Sequence, residues 1–69
     1  MIEAALPAAP VQRKYVLARR AFLDAAVREE AAGLAAWRHP SVETQARLAV
    51  AERATERAYA AWLAAGRLP

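Results

Sequence analysis

Apolar positions recur at helical spacing along most of this chain, and only one short stretch, His39-Pro40-Ser41, interrupts them. In the first stretch Val11, Tyr15, Val16, Phe22, Leu23, Val27, Leu34 and Trp37 fall on one half of a helical wheel. Arg13, Lys14, Arg20, Asp24, Arg28 and Arg38 fall on the other half. The pairs Tyr15/Phe22 and Val16/Leu23 repeat at seven residues, and Trp37 returns two heptads after Leu23. Arg19 and Glu30 intrude near the middle of the apolar arc, where they either snorkel to its edge or pair across an interface. Gly33 lies on the same arc and permits close backbone approach, although glycine costs a helix about 1 kcal/mol against alanine.

The helix boundaries are marked by residues with clear backbone preferences. Residues 1–10 hold two prolines and little periodicity, which predicts an extended arm. Pro10 or Val11 suits the opening turn of a first helix running to Arg38, because the first turn has no use for the missing N–H. Pro40 disfavours helical geometry at His39. Ser41 is a candidate N-cap for a second helix over residues 42–66, with Glu43 in its first turn. Thr44 stands where a capping box wants Glu or Gln, so the box is expected to be incomplete. Gly66 is placed as the C-terminal cap, and residues 67–69 form a tail whose Pro69 prevents the helix from resuming.

The second helix has few large apolar residues (Leu48, Tyr59, Trp62 and Leu63) but carries a ridge of Ala51, Ala54, Ala58, Ala61 and Ala65. Small side chains let two helices approach closely. The ridge is therefore expected against the alanine-lined flank of helix one, near Ala18, Ala25, Ala26, Ala32 and Ala36. A short connection makes the pair antiparallel. The fold class that follows is all-α: a two-helix hairpin, completed as a homodimeric four-helix bundle or by docking on a partner protein.

Composition sharpens that expectation. Of the 69 residues 21 are alanine, so the 58% hydrophobic content brings little buried area. Chains of fewer than about 70–80 residues usually need a disulfide, a metal or an oligomer, and this one has no cysteine. The absence of cysteine is compatible with the cytoplasmic location expected here. The longest uncharged stretch within the helices, Ala58 to Gly66, has nine residues, whereas a spanning helix needs about 20. No membrane association is expected, and the first residues lack the basic start and apolar run of a secretory signal.

The chemistry-bearing inventory is thin. One histidine, one aspartate and no cysteine do not assemble a nucleophile with a base, so no enzyme activity is expected. Glu52 and Glu56 lie one turn apart and Glu29 and Glu30 are adjacent, but the Glu-x-x-His pattern of di-iron bundles is absent. These carboxylates read as solvated helix charges, with no metal or cofactor, and His39 reads as a polar turn residue.

Two kinds of partner are in view. The first is a protein, or a second copy of the chain, bound through Tyr15, Arg19, Phe22, Leu23, Glu30, Trp37, Tyr59 and Trp62, with Arg19 and Glu30 setting register. Of the two tryptophans, Trp37 is expected to fill the core end of the hairpin near the turn, and Trp62 is left open between core and interface. The alternative is a nucleic acid held by Arg13, Lys14, Arg19 and Arg20. The net charge of +3 comes mostly as arginine interleaved with glutamate, which argues for the first. In outline the chain resembles the small helical hairpins of type VII secretion, but their Trp-x-Gly turn reads Trp37-Arg38-His39 here and no residue roles carry over.

Overall fold

A computed structural model describes the backbone of residues 10–66 and the side chains of residues 13–66. Within them the chain forms two helices, α1 (Pro10–Arg38) and α2 (Val42–Ala65), packed against each other as a hairpin. Apart from Pro10, the expected N-terminal arm lies outside the described residues, as does the tail over 67–69.

The turn is fixed by hydrogen bonds rather than by packing. His39 still donates its N–H to the Ala35 carbonyl at 2.8 Å, completing the last turn of α1. Ser41 then takes extended geometry (φ −160°, ψ 169°) and caps α2. The Thr44 N–H donates to the Ser41 hydroxyl at 3.0 Å, and the Ser41 N–H donates to the Thr44 hydroxyl at 2.9 Å. The capping box expected to be incomplete is thus closed by threonine. A hydroxyl oxygen accepts that N–H as a carboxylate would, while the hydroxyl itself donates to the His39 carbonyl oxygen at 2.9 Å. At the far end, the Gly66 N–H donates to the carbonyls of Trp62 and Leu63 at 3.1 and 3.2 Å. Gly66 keeps right-handed geometry, so its use is space: a Cβ there would lie 3.2 Å from Tyr15 Cε1.

The seam between the helices is lined with alanine. Ala25 (9% exposed) and Ala36 (4%) are the buried hydrophobic residues, and Ala18, Ala26, Ala32, Ala51, Ala54, Ala58 and Ala65 are half-buried. Ala61, expected on the same ridge, is instead exposed. Thr55 adds a polar link, sharing its hydroxyl proton between the Ala51 carbonyl at 3.0 Å and the Ala25 carbonyl of α1 at 3.2 Å. That bond sets Ala25 level with Thr55 along the hairpin.

Such a seam brings the backbones together but removes little apolar area from water. Among the described residues the two helices form a single layer. Two helices in one layer leave both broad faces to solvent.

Candidate protein-binding surface

The largest side chains gather at the open end, away from the turn. Phe22 stacks on Trp62 at a centroid separation of 5.3 Å and 22° between planes. Tyr59 lies 5.3 Å from Phe22, and Tyr15 and Tyr59 each lie 6.1 Å from Trp62. The four rings join residues early in α1 to residues late in α2. They tie together ends that the alanine seam alone would hold weakly, since aromatic pairs contribute about 0.5–1.5 kcal/mol beyond area burial. The indole Nε1 of Trp62 is buried without a hydrogen-bond partner.

Trp62 and Phe22 are half-buried in this cluster, so much of each ring is already spent within the chain. Trp37 is the reverse. Expected to fill the core end near the turn, it is 78% exposed. Its neighbour Ala36, at 4% exposed, takes the buried place there instead. Trp37 is thus the free tryptophan, and Trp62, left open by the sequence, joins the aromatic cluster.

The remaining large residues of the arc are also in water. Val16, Leu23, Val27 and Leu34 are exposed, from 42% at Leu23 to 64% at Val27. On the helical wheel these residues and Trp37 form one stripe, between a quarter and a half turn around α1 from the seam that α2 covers. Arg19 and Glu30 lie in the same stripe and are exposed. Tyr59 and Leu63 of α2, each 46% exposed, flank it at the open end. Large contiguous exposed apolar surface is uncommon on a monomer.

The two broad faces differ in charge. A hollow lined by Phe22, Glu29, Glu52, Thr55, Glu56 and Tyr59 lies beside the stripe and is rimmed by acids. The opposite face carries a shallow alanine-floored hollow of about 470 Å³ bordered by Arg28, Arg47 and Val50. Lys14 borders a further hollow with Ala18, Ala61, Ala64 and Ala65. The four cations considered for nucleic acid are exposed but spread around α1. Lys14 faces the alanine hollow, Arg19 sits in the apolar stripe, and Arg13 and Arg20 occupy the outer edge.

Among the described residues no three His, Asp or Glu side chains gather where they could hold a metal ion. No described helix is long and apolar enough to cross a membrane. Comparison with known proteins finds no matching family model, curated protein or solved structure.

Proposed function

We propose that this chain is a non-catalytic protein-interaction module, an accessory or regulatory subunit that binds through the apolar stripe of α1. The observation that carries this reading is the inversion of burial: alanines occupy the seam, while Val16, Leu23, Val27, Leu34 and Trp37 stay exposed. Burying a Leu or Val side chain is worth about 1.5–3 kcal/mol. A hairpin that leaves five large residues of one stripe in water forgoes most of the stabilisation its sequence offers, and a partner recovers it. The cytoplasm is the compartment we assign to that partnership.

Nucleic-acid binding is the alternative, and it needs the cations of α1 to act as one stripe. Their spread around the helix supports protein binding instead. The two separate in one experiment: association of the purified chain measured from low to high salt, for wild type, Leu23→Glu and an Arg13→Glu/Arg20→Glu pair. Protein binding predicts salt-tolerant association lost in Leu23→Glu alone. Association that collapses with salt and with the arginine pair, yet survives Leu23→Glu, would establish nucleic acid as the ligand.

A further inference from the structure

We infer that the occupant of the stripe is a second copy of this chain, docked by a two-fold axis that lays α1 antiparallel on α1 of its partner, with residue i facing residue 49 − i. This deepens the protein-binding reading and rests on it.

Two charges interrupt the stripe. Arg19 and Glu30 are exposed, on the same side of α1, and eleven residues apart. Their midpoint falls between Asp24 and Ala25, and the middle residue of α1 (Pro10–Arg38) is Asp24. A two-fold axis through that point sets each Arg19 against the partner's Glu30 and each Glu30 against the partner's Arg19. One operation pairs all four charges at the contact.

The same register settles the packing. Along the stripe Val16, Leu23, Glu30 and Trp37 recur every seven residues, and Arg19, Ala26 and Gly33 form the second row between them. With i facing 49 − i, Val16, Leu23 and Glu30 of the first row each meet one of the second, and Trp37 lies level with the partner's residue 12 at the end of the contact. Val16 faces the partner's Gly33, Leu23 the partner's Ala26, and Glu30 the partner's Arg19. Each apolar layer sets a large side chain against a small one, which is how closely approaching helices fill the space between them.

Gly33 supports this independently. A Cβ built there meets only Leu48 Cδ1, at an ordinary 3.8 Å. The hairpin itself therefore gives no reason for a helix-weakening glycine at this position. Val16 of a second copy gives one.

Charge also decides against the other face-to-face arrangement, in which α1 lies over the partner's α2. The Thr55–Ala25 hydrogen bond and the approach of Gly33 to Leu48 fix the level of the two helices. Glu30 then stands beside Glu52 of the partner copy, and Arg19 reaches the level of Tyr59 and Leu63 with no acid to meet. In the arrangement we infer, Glu56 is level with the axis and stands opposite its own copy at the rim, so α1 supplies more of the contact than α2.

A charge-reversal cycle and a cysteine probe test the proposal together. Arg19→Glu and Glu30→Arg should each weaken dimerisation about tenfold or more by placing like charges in contact, and the double variant should return to within about threefold of wild type. Helicity at matched concentration shows that the exposed positions leave the hairpin folded. In the cysteine-free chain, Leu23→Cys offsets the two introduced thiols by only about 4.5 Å along the axis, so they meet across the contact where the helices approach closely on Ala26. It should cross-link with its copy on mild oxidation, whereas Leu17→Cys, on another side of α1, should not.

A dimer in which both reversals and the double behave alike overturns the register. A chain that stays monomeric at every loading, yet loses another protein's binding on Leu23→Glu, overturns the second copy while leaving the protein-binding reading intact. If Leu23→Glu alters no association at all, both fall.

Discussion

The Phe22 ring stacks on the Trp62 indole across the open end of the hairpin, 5.3 Å between centroids. With Tyr15 and Tyr59 it gathers large side chains of both helices against each other. Trp62→Ala should therefore destabilise the hairpin by about 2–3 kcal/mol, below the fully buried range because the indole is only half-buried. Trp62→Phe should cost under about 1.5 kcal/mol, since it keeps an aromatic ring and removes a buried N–H that has no partner. Denaturant melts followed by circular dichroism check both values.

The N-cap of α2 makes a second prediction. Ser41 and Thr44 exchange hydrogen bonds at 2.9 and 3.0 Å. Ser41→Ala or Thr44→Ala should each cost about 1 kcal/mol. The double variant should cost clearly less than the sum, because each single change already breaks part of a reciprocal pair. Thr44→Glu, which restores the usual capping-box acceptor, should be close to wild type by the same melts.

How far the sequence carried the account can be argued from these residues. The hairpin was legible because Pro40 and Ser41 act through local backbone geometry, which needs no tertiary context. The alanine seam was legible in the three- and four-residue spacing of Ala51, Ala54, Ala58 and Ala65. The capping box was misread at Thr44, since a rule stated for carboxylates and amides applies to any oxygen that reaches the N–H. The exposure of Trp37 was not legible. Both tryptophans occupy apolar positions, and which of them finds neighbours depends on what the other helix presents at its level, a property of two helices together.

Gly33→Ala separates the hairpin from its dimer. A methyl group fits beside Leu48 at 3.8 Å, so the isolated hairpin should gain about 1 kcal/mol from helix propensity. Thermal melts at high dilution should show that gain. At high loading it should shrink, because the same methyl group occupies the space that Val16 of a second copy enters.

Trp37→Ala should divide stability from association. With 78% of the residue exposed, its loss should change the melting free energy of the monomer by no more than about 0.5 kcal/mol. Association should nonetheless weaken measurably by sedimentation, because the indole ends the stripe that the second copy covers.

The most direct test of the central claim is sedimentation equilibrium of the wild-type chain at several loadings in high salt, with helicity recorded on the same samples. The account predicts a weight-average mass that climbs from 7.5 kDa towards twice that value, and that Arg19→Glu holds near the monomer until Glu30→Arg is added. A fully helical species that stays at 7.5 kDa at every loading would contradict it, and would show that the stripe is not built for a second copy.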